Sequence, residues 1–358
     1  MLDTNHMSVN IALYFKSACK LGLPVKAVKE IYGFQLKMGK NVYFFRGGLT
    51  PFNNGSTNYV TDNKFCVNKL FELAGVPVAK AIGITKKEFE DNNWSAEELK
   101  FPLVIKPTVG TSCGKDVLCN IKDIEMLKYH LADKFKKHHC LSVEEFHAGL
   151  TSYRVLVFYG KVIGVVKRIP AQIIGDGKHN ILELIKIENE KREQFKGTVT
   201  FGDLAIDEES KIILAELALT PHDIIQEGKV IKLCYVCNST RGGIMISLGQ
   251  QICKENAILL RKAAKVLNLN IVGFDFLCED INIPVERSRG IIVEANYHPD
   301  ITIHELPMYG EATRVSEIIM RKFIYKHPFS YVINLLQQQL RRIFLPLNIF
   351  NRSRLSIE

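Results

Sequence analysis

Two apolar runs in the last third of the chain, at 271–277 and 290–295, form its clearest hydrophobic pattern. A polar connection joins them, so the pattern predicts two neighbouring strands. Because side chains alternate along a strand, Glu294 and Asn296 share one face, while Asp275 lies in the middle of the partner strand. Two carboxylates and an amide oxygen are ligands that suit Mg²⁺. The pattern therefore predicts a metal site, with a solvated strand edge as the alternative.

The N-terminal part of the chain alternates between helical and strand patterns. Apolar positions at helical spacing predict a helix from Ser8 to Leu21, and two alternating runs about Gly39 predict a hairpin. A second helix is predicted over 64–74, which places Lys64 in its first turn. The helix dipole disfavours a cation there unless an anion binds nearby. Lys64 is thus either a phosphate contact or a solvated lysine.

A short apolar strand is predicted over 101–108, and it carries Lys106. The loop that follows is rich in glycine, serine and threonine, and its members are Gly110, Thr111, Ser112, Gly114 and Lys115. Such a loop directly after a strand lysine is suited to a flap that covers a polyphosphate with its amides. The motif is not a Walker A sequence, because the lysine precedes the loop. Many ordinary turns have a similar composition.

The next predicted strand ends in Glu144, Glu145 and Phe146 before a glycine turn. This string suits an adenine hinge, in which backbone groups pair with the base and a carboxylate lies near the ribose. A strand that simply ends at solvent is the alternative interpretation.

A hairpin is predicted from the alternating runs 152–157 and 161–168, which meet at Tyr159-Gly160. Its strands carry Arg154, Lys167 and Arg168. Three cations on neighbouring strands are costly unless an anion lies between them. The hairpin therefore favours an anionic ligand.

The segment from 170 to 249 has the pattern of an insertion, with helices predicted over 181–193 and 211–219 and a strand over 230–236. It ends in Asn-Ser-Thr-Arg-Gly-Gly, a turn that offers amides, hydroxyls and Arg241 within a few residues. This chemistry is suited to holding an oxyanion.

Composition narrows the class of protein but not its ligand. The 358 residues are 47% hydrophobic and 24% charged, which is typical of a globular protein. A formal charge of +9 fits a nucleotide, a nucleic acid, an acidic peptide or a membrane surface. Nucleic acid is not expected, because no aromatic residues interleave with the basic runs. The nine cysteines are interpreted as free thiols, and the lack of a signal-peptide or membrane-span pattern predicts a cytoplasmic protein.

In this order the motifs resemble the ATP-grasp ligases, and within them the ATP-grasp region of cyanophycin synthetase. The glutathione synthetase half of bifunctional glutamate-cysteine ligase/glutathione synthetase is similar too. The resemblance covers roughly 58–314 and rests on LVIKPTVGTSCGKDV, VEEFHAGLTSYRVLV, RIPAQIIGDGKHNILELIKIEN, NSTRGG and GFDFLCEDI with GIIVEANYHPDITIHELP. It implies an α+β ATP-grasp fold, in which two α+β subdomains grip ATP, with a shortened N-terminal part. The expected domains are 1–60, 61–147, 148–320 with the insertion 170–249, and a tail over 321–358.

The resemblance also implies roles for individual residues. The phosphate-contacting lysines would be Lys64 and Lys106, the flap 110–115, the adenine hinge 144–146, and the metal ligands Asp275, Glu294 and Asn296. Arg154, Arg168 and Arg241 would hold triphosphate and acylphosphate oxygens. The implied cofactors are ATP and Mg²⁺, with Mn²⁺ as an alternative.

The implied reaction joins a carboxylate of an amino acid or peptide to an amine through an acylphosphate, releasing ADP and phosphate. An inactive nucleotide-binding module is the alternative function. Three departures from the pattern matter: the ligase half of cyanophycin synthetase is missing, the N-terminal part is shorter, and the flap carries Ser112-Cys113 where histidine or arginine is frequent. The first two make cyanophycin an unexpected product.

The tail carries a basic amphipathic pattern. Apolar residues at helical spacing predict a helix over 331–344, bracketed by Pro328 and Pro346 and flanked by arginines and lysines. Such a helix would lie on an anionic membrane surface or dock on another subunit, and a homo-oligomer is expected. The alternative is that the apolar stripe packs on the protein's own core.

Overall fold

The structure is a computed structural model that describes residues 4–110, 115–195 and 201–351, with side chains through 194 and from 201 to 340 within these ranges. The flap residues Thr111, Ser112 and Gly114 lie outside the described residues. Contacts divide the chain into two compact units. The terminal unit comprises 1–51, 300–302 and 314–358, and the central unit comprises 52–299 and 303–313. The domain boundaries expected from the sequence stay a prediction.

The terminal unit pairs a small sheet with helices from both ends of the chain. Its elements are α1 (Val9–Lys20), β1 (Val25–Val28), β2 (Gly33–Met38), β3 (Asn41–Arg46), α10 (Val315–Lys326) and α11 (Pro328–Asn351). The three strands are antiparallel in the order β1-β2-β3. Aromatic residues form its core, where Phe34 and Phe45 stack with ring centroids 4.5 Å apart and Phe323 of α10 meets Phe45.

Local signals account for these elements. Ser8 accepts a hydrogen bond from the Ile11 N–H and caps α1, and Gly39 takes a positive φ of +63° in the hairpin turn. Both predicted elements are confirmed, while β1 was not anticipated. The helix α11 begins at Pro328, where proline is favoured, but continues past Pro346. The predicted C-terminal end of this helix, before Pro346, was therefore wrong. A proline removes one helical hydrogen bond but does not always end a helix.

The central unit contains two larger antiparallel sheets and an inserted layer. Its elements are α2 (Gly55–Asp62), α3 (Lys64–Leu73), β4 (Ala81–Thr85), α4 (Lys86–Glu90), β5 (Leu103–Pro107), β6 (Leu118–Ile121), α5 (Ile124–Lys134), β7 (Cys140–Glu145), β8 (Thr151–Phe158), β9 (Lys161–Ile169), β10 (Gln172–Ile174), α6 (Ile181–Arg192), α7 (Glu208–Glu216), β11 (Val230–Lys232), β12 (Ile244–Ser247), α8 (Lys254–Val266), β13 (Ile271–Cys278), β14 (Gly290–Asn296) and most of α9 (Thr302–Glu305).

The sheets have the orders β4-β7-β5-β6 and β12-β9-β8-β13-β14. Buried residues of β8, β13 and β14 pack against α3 and α8 in one core, and those of β5 and β7 pack against α5 in another. Separate antiparallel sheets covered by helices confirm the expected α+β class. The predicted hairpin turns at Tyr159 and Gly160, both with positive φ.

The insertion departs from the sequence prediction at two elements. Helix α7 starts at Glu208, because Asp207 forms a capping box with Ser210. The predicted strand over 230–236 ends at Lys232. Beyond it the backbone finds side-chain partners on α7 instead of a neighbouring strand: the Ser210 hydroxyl donates to the Leu233 carbonyl, and the Tyr235 N–H donates to the Glu209 carboxylate. Among the described residues, no helix is long and apolar enough to cross a membrane.

Candidate nucleotide and metal site

The two carboxylates that the sequence singled out face each other across neighbouring strands. Strands β13 and β14 pair antiparallel with Asp275 opposite Glu294 and Gly273 opposite Asn296. The register shifts after this pair, so the ladder is irregular beside the acids. The Asn296 side-chain amide donates to the Gly273 carbonyl at 3.3 Å, which leaves its oxygen for another partner. The predicted strand pairing is confirmed.

Asp275 is held by two arginines on the other side of β13. Arg154 lies directly opposite it on β8, with Nε 2.6 Å from the Asp275 Oδ1, and the Arg168 Nη2 lies 3.0 Å from Oδ2. Burial by itself raises the pKa of this carboxyl, but the two guanidinium groups outweigh it and hold the pKa below its usual value. Asp275 is therefore ionised at neutral pH.

Ser152 explains how the cations of the hairpin are accommodated. It lies opposite Arg168 in the β8–β9 ladder, and its hydroxyl accepts hydrogen bonds from the Arg168 Nε and Nη2 at 3.1 and 2.8 Å. The guanidinium is thus fixed between a hydroxyl and the Asp275 carboxylate. Sequence reasoning missed Ser152, although its position two residues before Arg154 on one strand face signalled it.

Lys64 approaches the same group from the first turn of α3. Its backbone N–H donates to the Thr108 carbonyl, and its Nζ lies 3.6 Å from the Glu294 Oε1. The side chain of Lys64 is mostly buried, whereas that of Glu294 is partly open at 31% exposure. Asn63 caps the N-terminus of the helix, because its side chain accepts a hydrogen bond from the Cys66 N–H.

Lys106 forms a buried ion pair with Glu144. The Nζ lies 2.8 Å from the Glu144 Oε1, and both side chains are only 6% exposed. Ser142 completes the group, since its hydroxyl donates to the same carboxylate at 2.9 Å. On its other side, the Lys106 Nζ lies 3.5 Å from the Val293 carbonyl, next to Glu294. The lysine therefore links the four-stranded sheet to strand β14.

The predicted adenine hinge is only partly available. The Glu144 carboxylate, predicted to lie near the ribose, forms an ion pair with Lys106. The backbone N–H groups of Glu145 and Phe146 already donate to Lys80 and Pro102, and the Glu145 carboxylate accepts from the Lys100 N–H. These two backbone donors are therefore used within the fold, and the hinge role of 144–146 stays a prediction.

His147 and Tyr235 lie beside 144–146, the segment predicted to be the hinge. The Phe146 and Tyr235 rings meet edge to face with centroids 5.5 Å apart. The His147 Nε2 is buried and has no hydrogen-bond partner within the described ranges. Burial lowers the pKa of His147, so its ring is neutral at neutral pH.

Arg241 belongs to a different cluster from Arg154 and Arg168. Its guanidinium pairs with the Asp207 and Glu209 carboxylates of the insertion, the latter at 2.7 Å. Burial alone lowers the pKa of Arg241, but hydrogen bonding to Glu209 reverses the direction and raises it. With both acids bound, Arg241 has little charge left for an oxyanion, so its predicted role loses support.

The remaining flap residues and the cysteines complete the comparison with the sequence. Gly110 has a φ of +74° and Lys115 is exposed. The eight described cysteines are free thiols, although sequence reasoning overlooked the Cys-x-x-Cys spacing of Cys234 and Cys237. Burial raises the pKa of the Cys234 thiol to about 11. No group of three or more histidine, cysteine or acidic residues suited to a metal occurs in the described part of the chain.

The donors on β13 and β14 nonetheless fit a hard divalent cation. The Asp275 Oδ1 is close to Arg154 but lacks hydrogen-bond geometry, so it makes no directional bond to a donor of the described chain. Glu294 is partly open, and the Asn296 oxygen is oriented by its own amide group. Two carboxylates and a carbonyl oxygen match Mg²⁺, which usually keeps further phosphate and water ligands.

His304, on α9, is a buried histidine near this site. Its side chain is almost fully buried, and both ring nitrogens lack a hydrogen-bond partner among the residues described. Burial, with a smaller contribution from the charge of Arg154, lowers the pKa of the ring to about 3. The folded protein therefore keeps His304 neutral at neutral and mildly acidic pH.

We expect His304 to make the protein less stable in mild acid. The unfolded chain takes up a proton near the ordinary pKa of 6.5, whereas the folded state takes it up only near 3. The contribution of His304 to the free energy of unfolding is thus fully present above about pH 6.5. Below that pH it falls by up to about 1.4 kcal/mol per pH unit, because one proton binds on unfolding. Urea unfolding of the wild type and His304→Leu between pH 7 and pH 4.5 checks this. A slope that His304→Leu leaves unchanged would assign the acid sensitivity to other groups.

Comparison with known proteins places this geometry in a family. No family model matches the chain. The chain is 32% identical over 255 residues to the cyanophycin synthetase of Crocosphaera subtropica, which covers 70% of this chain and 29% of that protein. It is 24% identical over 294 residues to the glutathione biosynthesis bifunctional protein of Pasteurella multocida, covering 80% of this chain and 38% of that protein.

A solved structure shares the fold. The crystal structure of a bifunctional glutathione synthetase from Pasteurella multocida superposes with a TM-score of 0.62 at 22% sequence identity. The match covers 89% of this chain and 44% of that one. The chain therefore spans less than half the length of each of these relatives. Its fold, its strand-borne acids and these similarities together show that the chain belongs to the ATP-grasp ligase superfamily.

Proposed function

We propose that the central unit is an ATP-dependent carboxylate–amine ligase. The observation that carries the proposal is the arrangement of charge about β13 and β14. Four cations, Lys64, Lys106, Arg154 and Arg168, alternate with three acids, Glu144, Asp275 and Glu294. The group thus has a net positive charge, which favours an anionic ligand such as a polyphosphate.

In the proposed reaction the γ-phosphoryl group moves from ATP to a substrate carboxylate. The bond between phosphorus and the ADP oxygen breaks as the bond to the carboxylate oxygen forms. An amine then attacks the acylphosphate carbon, phosphate leaves, and the nitrogen loses a proton. Such a transfer depends on positioning and charge neutralisation, so it needs no side-chain nucleophile.

The position of each residue suggests its role in this phosphoryl transfer. Lys106 and Lys64 would contact phosphate oxygens, because both Nζ atoms flank Glu294 and its neighbouring carbonyl. Arg154 and Arg168 would neutralise charge on the acyl side, with Ser152 orienting Arg168. Asp275, Glu294 and Asn296 would hold Mg²⁺ or Mn²⁺. The bound ion would screen charge on the phosphate oxygens.

The substrates are proposed only as a class. The similar proteins are named for cyanophycin synthesis and for glutathione biosynthesis, and both names denote products built from amino acids. We infer that this chain also takes amino acids or small peptides as its carboxylate and amine. A cytoplasmic location and a homo-oligomeric state remain predictions.

A phosphate-release screen tests the proposal directly. Purified full-length chain with ATP and Mg²⁺ is incubated with pairs of amino acids, dipeptides and hydroxy acids, and the product masses are measured. We expect phosphate release above background only with a productive pair, together with a product whose mass equals that of both substrates less water. ATP binding by calorimetry without turnover for any pair would instead favour an inactive nucleotide-binding module.

A further inference from the structure

The amphipathic helix α11 exposes an apolar face, whereas a helix at the surface of a core usually buries it. Leu335 lies on the inner face near Gly22, but five other large apolar side chains lie on one stripe and are 52% to 84% exposed, namely those of Phe329, Val332, Ile333, Leu336 and Leu340. Their spacing of three or four residues places them on a single helix face. We call this set the outer stripe. Exposed contiguous apolar surface of this kind is rare on a soluble monomer and marks an interaction site.

The inner face of α11 is fixed to the rest of the terminal unit by polar groups. The Tyr331 hydroxyl donates to the Leu21 carbonyl at 2.7 Å, and the amides of Asn334 and Gln338 both donate to the Gly22 carbonyl, at 2.8 and 3.1 Å. These three residues follow helical spacing on the face opposite the outer stripe. The helix is therefore held in an orientation that presents its apolar side outward.

The positive charge of the protein is concentrated in the same unit. The terminal unit contains 15 lysines and arginines and five acids, a formal charge of +10. The central unit contains 32 basic and 33 acidic residues, a formal charge of −1. The net charge of the chain thus comes from the unit that bears the outer stripe, and not from the nucleotide site. Lysines on its sheet and on α1 are exposed, including Lys16, Lys26, Lys37 and Lys40.

A polar groove runs beside the stripe. It has a volume of about 470 Å³ and lies between β2 and α11, lined by Lys37, Gly39, Ser330, Gln337 and Gln338 among others. An ammonium group, side-chain amides and a hydroxyl next to apolar side chains match the boundary between phosphate headgroups and acyl chains.

We propose that the terminal unit binds the surface of an anionic lipid bilayer, with the outer stripe of α11 inserted among the acyl chains near the headgroups. Lys37, which lines the groove beside the stripe, then lies at a surface of opposite charge. A second copy of this chain is the weaker candidate, because two terminal units, each with a formal charge of +10, would repel each other on approach. Binding of a nucleic acid would use the positive charge but would not explain why the leucines of the outer stripe are exposed.

Vesicle flotation with the full-length chain tests the proposal. Vesicles of phosphatidylcholine alone are compared with vesicles that also contain about one third phosphatidylglycerol. We expect flotation with the anionic vesicles only, weakening as sodium chloride is raised, because salt screens the charge. The double variant Leu336→Ser/Leu340→Ser should reduce binding at least about tenfold, since each buried leucine contributes strongly to transfer into an apolar phase.

A matched control distinguishes the effect of the outer stripe from the effect of removing any two exposed leucines. Leu73 and Leu217 are exposed leucines of the central unit, so Leu73→Ser/Leu217→Ser removes the same groups elsewhere. Circular dichroism and ATP binding should be unchanged in both variants, which keeps the test independent of folding and of the proposed ligase activity. Equal loss in the control, or no flotation of the wild type with anionic vesicles, would overturn the proposal. An oligomer that dissociates only in the stripe variant, without vesicle binding, would assign the stripe to a second copy.

Discussion

Replacing Glu294 by glutamine is expected to slow phosphate release by roughly 100-fold or more while leaving the fold intact. The substitution removes a charge that the proposed Mg²⁺ needs, and removing a single electrostatic group from a catalytic site typically costs this much. Glu294 is partly exposed and its nearest cation, the Lys64 Nζ, is 3.6 Å away, so little stability depends on it. Phosphate release at saturating ATP measures the loss of activity, and thermal unfolding measures whether the fold is as stable as in the wild type.

The neighbouring acid should respond differently. Asp275 is only 15% exposed and is held by two arginines, so Asp275→Asn leaves both guanidinium groups short of a counter-charge. Breaking a buried pair of this kind costs about 3–5 kcal/mol, so we expect lower activity and a lower unfolding temperature together. Glu279→Gln, in an exposed pair with Arg289, serves as the control and should change neither. Full activity in Glu294→Gln would remove these acids from the proposed site.

The second large effect concerns the buried pair of Lys106 and Glu144. Lys106→Met should destabilise the protein by about 3–5 kcal/mol, because it leaves a carboxylate buried with only the Ser142 hydroxyl as a described partner. It should also weaken ATP binding about tenfold or more, since a charge-assisted phosphate contact contributes roughly 1.5–3 kcal/mol. Urea unfolding and calorimetry measure the two effects separately.

The double variant Lys106→Met/Glu144→Gln separates structure from ligand binding. Removing both charges should restore much of the stability, because no buried charge remains unpaired. ATP affinity should stay low if Lys106 contacts the nucleotide. Affinity that recovers with the fold would make Lys106 a structural residue. Lys69→Met, in an exposed pair with Glu72, should affect neither quantity.

Residue patterns along the chain were sufficient to predict the strands of the site. Strand side chains repeat every two residues, so the positions of Asp275, Glu294 and Asn296 followed from the apolar runs on either side of them. The same period predicted that Arg154 and Arg168 lie on neighbouring strands. Their individual roles stay predictions until the variants are measured.

Pairings between distant segments were beyond the reach of sequence patterns. Glu144 was assigned to a hinge because it ends an apolar strand, yet the β5–β7 register sets Lys106 opposite Ser142 and so brings Glu144 within 2.8 Å of the lysine. Arg241 was grouped with the other arginines by its residue type, but the capping turn of α7 places two acids beside it. Both outcomes depend on register and packing, which nothing in the local sequence encodes.

By itself the sequence determined the strands that carry Asp275 and Glu294, the neighbouring hairpin and the candidate residues for phosphate and metal, because these follow from local periodicity and side-chain chemistry. The α+β class and the family followed from the resemblance of its motifs to known ligases. Only the tertiary structure decided which of those residues meet. It also decided that Asn334 of α11 faces Gly22 while Leu336 and Leu340 are exposed, and that residues from both ends of the chain share one strongly basic unit. The physical reason is that either face of an amphipathic helix can be buried, and packing of the whole chain decides which one is. Likewise, two charges far apart in sequence form an ion pair only once the fold brings them together.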